Sequence, residues 1–472
     1  MEFSRRKNLF VILIMTAILT SGISFALQDK TYFADQKAII SNNQSNILTG
    51  AINPNILSPS TPPEPRGIPL SNPPEIIKAV YVTGYSAGNK KYLDYLSGLF
   101  KSTEINAVVI DIKDYSGLVS YNSDASDLSS TNFERKEDGG VVEQKNSSKL
   151  VGDELKKYNL CNNAIPNIDA LVNFFHSQNI YVIGRIAVFE DPAFSKSRPD
   201  LAVYNKSKTT HSAGSGQADL SQPILWQDNH GLSWLDPASK DVWDYNISLA
   251  KDAFSHGFDE MNFDYVRFPS DGKTENMGFS VWDQKKPKSE VIKEFFNYTR
   301  ANLPDEKISV DLFGQTTVNT DDMGIGQIIE NAFENFDYVS PMVYPSHYAN
   351  EFIGFANPAE HPYEVIKYSM SNALNREKSF LEQKQDLAMK NSKAAESPAA
   401  LAQVLTPAPV SAHLAKFRPW LQDFNMGADY TADMVKQEIK ATQDSLGNDY
   451  NGFMLWNPFN IYTEDAIQKT GQ

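Results

Sequence analysis

The sequence predicts an α/β fold, a (β/α)8 TIM barrel with long insertions. Eight short apolar segments alternate with helix-like segments, and this alternation is typical of parallel strands joined by right-handed crossovers. The segment Glu260–Val266 has carboxylates on one face and apolar side chains on the other, as expected of a barrel strand that borders a polar cavity. For this segment, an antiparallel strand with one solvated face is the alternative. A doubly wound open sheet is the rival fold, but no glycine-rich phosphate loop follows the first strand.

The strands are assigned from short apolar runs and the helices from apolar residues at i, i+3 and i+4 spacing. The predicted strands are Lys78–Thr83, Ala107–Lys113, Tyr181–Phe189, Glu260–Val266, Ser309–Phe313, Tyr338–Tyr344, Phe417–Gln422 and Gly452–Trp456. The predicted helices are Lys90–Lys101, Ile168–Ser177, Lys240–His256, Ser289–Asn302, Gly326–Phe333, Pro362–Asn375 and Ala432–Leu446.

Three insertions interrupt the alternation of strands and helices. Tyr115–Pro166 and Asp191–Leu235 follow the second and third strands, so we expect both at the C-terminal face of the barrel, where long loops shape clefts. The third, Gln383–Pro409, is Ala/Pro-rich towards its end and precedes the seventh strand. It is predicted to be flexible and to lie on the opposite face.

The N-terminal segment Met1–Gln28 is predicted to be a signal peptide or a membrane anchor. Arg5–Lys7 precedes a long apolar run, and Ser24-Phe25-Ala26 has the small-residue spacing of a cleavage site. Residues 29–75 are predicted to form a disordered linker, and residues 76–472 the barrel domain. We therefore expect an exported protein, either extracellular or periplasmic or anchored to the cytoplasmic membrane.

Composition and motifs restrict the classes of function. The chain has 43 Lys and Arg against 58 Asp and Glu, a net charge of −15, which argues against a nucleic-acid partner and against membrane contact other than through the N-terminal segment. The single cysteine, Cys161, allows no intrachain disulfide. No His-x-His or His-Glu-x-x-His motif is present, so we expect neither a metal nor another cofactor.

Charged side chains share the lumen-facing side of neighbouring strands. Period-2 alternation places Asp111 and Lys113 of the second strand, Arg185 of the third, Asp264 of the fourth and Asp311 of the fifth on that side. A structural network of salt bridges would give the same pattern. The concentration of such groups at one barrel end favours a functional site.

Two carboxylates at one barrel rim are what glycoside hydrolysis requires. Asp264 is the predicted nucleophile, because it stands at a strand end and Arg267 can keep it ionised. Asp311 on the next strand is the first candidate for the general acid. Glu190, at the end of the third strand, is the second.

Aromatic side chains at strand ends are typical of a sugar cleft, since the apolar faces of sugars stack on rings. Asp111, Lys113, Arg185 and Arg267 are candidate polar contacts to the substrate. The further candidates are Tyr344, His347, Trp420, Trp456 and Asn457. Packing at the barrel rim is the alternative for each aromatic residue.

At four motifs the chain resembles a bacterial glycoside-hydrolase-like family of TIM barrels near the alpha-amylase-like hydrolases. The motifs are Asn106–Asp114, Gly257–Pro269, Asp337–Pro345 and Leu455–Pro458, and the resemblance spans roughly residues 78–462. It implies a glycosidase with an aspartate nucleophile at the end of the fourth strand, the place of Asp264. Related enzymes carry a glutamate acid at the end of the fifth strand, where this chain has Asp311 within the strand and Phe313-Gly314-Gln315 after it.

The resulting hypothesis is an exported glycoside hydrolase that cleaves a cell-envelope or extracellular polysaccharide with two carboxylates. Its partner would be a carbohydrate polymer or oligosaccharide. A carbohydrate-binding barrel without catalysis, or an envelope scaffold that binds a protein, is the alternative.

Overall fold

The computed structural model describes residues 68–122, 160–208, 223–394 and 414–469. The predicted signal or anchor segment Met1–Gln28 and most of the predicted linker lie outside these residues, as does the Ala/Pro-rich stretch from residue 395 to residue 409. Among the residues that are described, no helix combines the length and apolar character needed to cross a bilayer.

Eight parallel strands close into a barrel. Each strand pairs with its neighbours in chain order, and the first strand pairs with both the second and the last, which closes the sheet. The predicted TIM barrel is confirmed, and the open sheet is excluded. The strands are β1 (Ile77–Val82), β2 (Ala107–Lys113), β3 (Tyr181–Ala187), β4 (Glu260–Asp264), β5 (Ile308–Phe313), β6 (Tyr338–Met342), β7 (Trp420–Gln422, after a short strand Lys416–Phe417) and β8 (Gly452–Trp456).

Several of the α-helices begin at a residue whose side chain caps the first turn. Asn89, Asn167, Ser239 and Thr431 each accept a hydrogen bond from a backbone N–H in the first turn of the helix that follows. The helices are α1 (Gly84–Ala87), α2 (Lys90–Ser102), α3 (Ile168–His176), α4 (Pro192–Ser197), α5 (Lys240–Ser255), α6 (Lys288–Asn302), α7 (Pro362–Ala394) and α8 (Ala432–Leu446).

One helix prediction is wrong, and another helix is longer than predicted. Gly326–Phe333 contains only a 3-10 turn at Ile329–Asn331, because Gly326 has φ 89° and Gln327 turns inward to bond Phe313 N–H and the Val266 carbonyl. Helix α7 continues to Ala394, so the first part of the third insertion is helical where a flexible segment was predicted.

The strands have an apolar outer face and a mixed lumen face. Val108, Ile110 and Ile112 of β2 pack into the core beneath the helices, whereas Asp111 pairs in register with Arg185 of β3. Arg185 in turn pairs with Asn262 of β4. The predicted side-chain parity is therefore confirmed for these polar residues.

A buried ion pair fills the N-terminal half of the lumen. Arg418 binds Glu260 with both terminal nitrogens, one of them 3.1 Å from Oε2, and neither side chain is exposed. Ser309 Oγ donates to Glu260 Oε1 at 2.6 Å, and the Arg418 guanidinium lies 4.0 Å from the centre of the Tyr338 ring. The cleft described below opens at the other, C-terminal end of the barrel.

Candidate active site

A cleft of about 590 Å³ opens at the C-terminal end of the barrel. The second insertion reaches it through Asp228, His230 and Leu232, which agrees with the predicted position of that insertion on this face. The residues predicted from sequence that line the cleft are Asp264, Asp311, Glu190, Arg185, Arg267, Tyr344, His347, Trp420 and Trp456.

Arg185 is the centre of the polar part of the cleft. It donates to Asp264 Oδ2 from Nε at 3.1 Å and again from Nη2, and to Asp111 Oδ1 from Nη1 at 2.5 Å. The same Nε lies 3.9 Å from Asp311 Oδ2. Since Asp264 Oδ2 and Asp311 Oδ2 approach one atom at 3.1 and 3.9 Å, they are at most about 7 Å apart.

Asp264 is held through both of its carboxylate oxygens. Oδ2 accepts from Arg185, and Oδ1 accepts the backbone N–H of Tyr265 at 2.6 Å. Tyr265 has φ 53°, the left-handed region that a tyrosine rarely adopts. Backbone strain of this kind costs of order 1–3 kcal/mol and concentrates at functional sites. The local structure thus fixes Asp264 at the mouth of β4.

Asp311 lies beside Asp264 and deeper in the lumen. Asn262 Nδ2 donates to its Oδ1 at 2.8 Å, while Oδ2 has no hydrogen-bond partner among the described residues. Burial, and then the charge of Asp264, raise the pKa of Asp311 well above its usual range, against the opposing effect of Arg185. The indole Nε1 of Trp420 is likewise unpartnered within the described chain, although it is near enough to Asp311 to favour the carboxylate.

Glu190 lies beyond the end of β3 and is only 5% exposed. Its carboxyl group makes no hydrogen bond to any part of the chain that the structure describes. Burial raises the pKa of Glu190 well above its usual range, the Arg267 charge opposes this, and the carboxylates of Asp228, Asp271 and Asp264 add to it. Glu190 is therefore a buried carboxyl group that faces the cleft and has a raised pKa.

Arg267 lines the cleft near Glu190, held between aromatic rings. Its guanidinium lies 4.6 Å from the centre of the Trp234 ring and 5.0 Å from that of Phe313, and Nη1 donates to the Phe268 carbonyl at 3.2 Å. The guanidinium that bonds Asp264 is that of Arg185, and Arg267 makes no hydrogen bond to Asp264 among the described residues.

Aromatic rings form the opposite wall of the cleft. Tyr344 and Trp456 lie with ring centres 5.5 Å apart at 33°, and Phe424 meets Trp456 edge-on at 4.8 Å. His347 lies 5.1 Å from Tyr344, and Trp420 closes the base of the wall. Rings arranged in this way offer flat apolar surfaces to a sugar.

Three of the residues predicted to contact substrate do not line the cleft. Lys113 is buried in an ion pair with Asp191 at 2.7 Å, because a bulge between Asp111 and Lys113 interrupts the alternation of β2. Asp111 is buried below Arg185 and accepts hydrogen bonds from the Arg185 guanidinium and from the Tyr81 hydroxyl. Burial raises the pKa of Asp111 to about 6. Asn457 bonds the Asp423 carbonyl and Phe459 N–H, so it organises the turn after β8.

Sequence reasoning missed several residues that line the cleft, among them Asp228, Asp271, Tyr265 and Phe424. Asp228 accepts from His230 N–H and Leu232 N–H, both at 2.9 Å, and so shapes a turn of the second insertion. Such loop contacts have no periodic pattern in the sequence. Phe424 was detectable, since it follows β7 by two residues.

The structure offers no ready-made metal site in the chain segments that it describes, since no three His, Cys, Asp or Glu side chains there are placed to hold an ion.

A family model described as a "putative glycosyl hydrolase domain" matches residues 79–139, 124–389 and 389–462. The chain belongs to this glycosyl hydrolase family. Membership confirms the resemblance predicted from the sequence and supports the prediction of a glycosidase. A comparison with curated proteins gives no match.

Solved structures similar to this family member include a hypothetical protein from Ruminiclostridium thermocellum ATCC 27405, at 33% identity over 52% of this chain and 98% of that one, with a TM-score of 0.37. The PgaB (BpsB) glycoside hydrolase domain from Bordetella bronchiseptica is 12% identical over 84% of this chain and 100% of that one, with a TM-score of 0.45. An alpha-galactosidase from Thermus thermophilus is 11% identical over 85% of this chain and 61% of that one, with a TM-score of 0.39.

Proposed function

We propose that the protein is an exported glycoside hydrolase that cleaves a cell-envelope or extracellular polysaccharide, with Asp264 and Glu190 as its two working carboxylates. The observation that carries the proposal is the contrast between them. Asp264 is bound by a guanidinium, whereas Glu190 is buried without a hydrogen bond and has a raised pKa. The reaction requires one carboxylate and one carboxyl group that donates a proton in a single cleft, and we assign these roles to Asp264 and Glu190.

In the proposed reaction, Glu190 donates its proton to the glycosidic oxygen as the bond from that oxygen to the anomeric carbon breaks. Asp264 attacks the anomeric carbon, or activates the water that does so. Arg185 and the Tyr265 N–H orient Asp264 for this step. A water molecule supplies the hydroxyl group of the new reducing end and the proton that returns to Glu190.

Glu190 fits the role of general acid better than Asp311, the first candidate from sequence. Asp311 lies within β5, is almost fully buried, and has one oxygen bound by Asn262. Glu190 lies past its strand, and both of its oxygens are available to the cleft. We assign to the free oxygen of Asp311 a hydrogen bond to a substrate hydroxyl.

The aromatic wall is the proposed binding surface for the sugar rings. Tyr344, Trp420 and Trp456 supply the apolar area, while Arg267 and His347 supply polar contacts at its edges. The signal-like N-terminal segment supports an extracellular or periplasmic site of action.

Replacement of the acid tests this assignment. Glu190→Gln is expected to lower kcat on the natural polysaccharide by roughly a hundredfold or more, because an amide cannot protonate the leaving oxygen. On a 2,4-dinitrophenyl glycoside, whose leaving group needs no proton, the loss should be within about tenfold. Asp311→Asn should lower activity on both substrates to a similar extent. If Asp311→Asn gives the substrate-dependent pattern instead, Asp311 is the acid.

The pH profile provides a second prediction. Because Glu190 must carry its proton, kcat/KM should fall as the pH rises through its raised pKa. Glu190→Gln should remove this alkaline limb when the activated glycoside is the substrate, and Asp305→Asn, at an exposed site, should leave it in place. An unchanged alkaline limb in Glu190→Gln would show that another group supplies the proton.

A binding barrel without catalysis is the second candidate, favoured by the ion pairs that Arg185 makes with Asp264 and Asp111. A structural ion pair would hold Asp264 in the same way. Such a protein would bind a glycan without releasing new reducing ends, and an envelope scaffold would bind no glycan at all.

A further inference from the structure

The barrel rim between β1 and β8 carries three large hydrophobic side chains that are exposed to solvent. Tyr85 of α1 is 59% exposed, and Phe459 and Ile461, in the segment after β8, are 61% and 65% exposed. Because β1 and β8 are neighbours in the barrel, the loops that follow them lie at the same part of the C-terminal rim. We call Tyr85, Phe459 and Ile461 the rim patch.

Asn460 fixes the conformation that exposes these side chains. It is buried, with φ 57°, and its Oδ1 accepts the Thr83 N–H at 2.9 Å. Its Nδ2 donates to the Asn457 carbonyl at 3.1 Å, and its own carbonyl accepts the Tyr92 hydroxyl at 2.8 Å. With Asn460 turned inward, the residues on either side of it turn outward. The fold therefore holds hydrophobic groups in water at this rim.

The rim patch is continuous with the cleft. Trp456, Pro458 and Phe459 all line the cleft, and Ile461 follows Asn460, which bonds Thr83 at the start of the helix that carries Tyr85. An apolar path thus leads from the aromatic wall to the outer rim. A sugar chain that lies in the cleft and leaves it on this side would pass over the rim patch.

We infer that the rim patch binds sugar units of the polysaccharide beyond the bond that is cleaved, so that the protein acts better on long chains than on short glycosides. This inference rests on the proposed function and extends it to the length of the substrate. Pyranose rings have an apolar face that packs against an aromatic or branched aliphatic side chain, and burial of that area is favourable. A patch that continues the active-site wall fits a polymer better than it fits a short oligosaccharide.

The test compares long and short substrates with the full chain. Wild type is first screened on amylose, xylan, galactomannan and chitosan, and then on the 4-nitrophenyl glycoside of the sugar it cleaves. The double variant Tyr85→Ala/Ile461→Ala is expected to lose about tenfold in kcat/KM on the polymer. Its loss on the 4-nitrophenyl glycoside should be less than about twofold. Leu387→Ala on α7, equally exposed at 59% but distant in the fold, is the matched control and should match wild type on both.

Four results would overturn the inference. Equal activity of the double variant and wild type on the polymer would exclude a contribution from the rim patch, and an equal loss on both substrates would place the patch in the catalytic site. Sedimentation in which wild type is a dimer and the double variant a monomer would make the patch a self-association surface.

If wild type cleaves no polymer, the proposed function fails. Affinity electrophoresis in gels that contain each polymer then decides whether the rim patch binds glycan. Retardation of wild type but not of the double variant supports glycan binding, and equal migration refutes it.

Discussion

Asp264→Asn is expected to reduce kcat on the polysaccharide by roughly a thousandfold or more while the fold survives. The amide has nearly the same shape, so it keeps a hydrogen bond to the Tyr265 N–H and fills the same space. It cannot carry the negative charge that attacks the anomeric carbon or activates water. Release of reducing ends measures the loss, and circular dichroism checks the fold.

The exposed Asp305→Asn is the matched control for this substitution, since it makes the same chemical change outside the cleft. It should retain the kcat of wild type. An Asp264→Asn variant that hydrolyses polysaccharide at the rate of wild type would remove Asp264 from the mechanism and leave its bond to Arg185 as a structural ion pair.

Arg418→Met is expected to destabilise the barrel by about 3–5 kcal/mol, because it leaves the Glu260 carboxylate buried in the lumen without its cation. Both side chains of this pair are fully buried, and among the residues that the structure describes Ser309 and Tyr181 would still donate hydrogen bonds to Glu260. Urea denaturation measures the change in the free energy of unfolding.

Removal of both the Glu260 and the Arg418 charge should destabilise the barrel less than removal of either one. In Glu260→Met/Arg418→Met no charge remains buried, so we expect this double variant to be more stable than either single variant. The reverse order, with the double variant the least stable, would mean that the hydrogen bonds and packing of the pair outweigh its desolvation cost. The surface variant Lys90→Met removes an exposed cation and should leave stability nearly unchanged.

Period-2 alternation was enough to predict the barrel and the side of the lumen for Asp111, Arg185, Asp264 and Asp311. Their strands are regular, so the direction of each side chain follows from its position in the sequence. Lys113 breaks the rule because one bulge reverses the side to which it points. Bulges depend on how neighbouring strands pair, and a single strand's sequence does not contain that information.

The choice between the two candidate acids depended on tertiary contacts. From sequence Asp311 was ranked above Glu190 because it lies on the strand next to Asp264, but the sequence shows neither the burial nor the hydrogen bonds of the two carboxyl groups. The Asn262 contact to Asp311 and the neighbourhood of Glu190 involve residues far apart in the chain. Asn457 was misassigned for the same reason, because its side chain bonds the Asp423 carbonyl and the Phe459 N–H in the turn after β8. The left-handed Tyr265 also had no sequence signature, since only its neighbours in space stabilise that conformation.

The central claim is that the cleft hydrolyses glycosidic bonds, and the most direct test is the release of new reducing ends from a panel of purified polysaccharides by the wild-type chain. The account predicts that at least one polysaccharide gains reducing ends with time, and that Asp264→Asn and Glu190→Gln each abolish most of the gain. A wild-type chain that binds a polysaccharide but releases no reducing ends would contradict the account and identify the barrel as a binding protein.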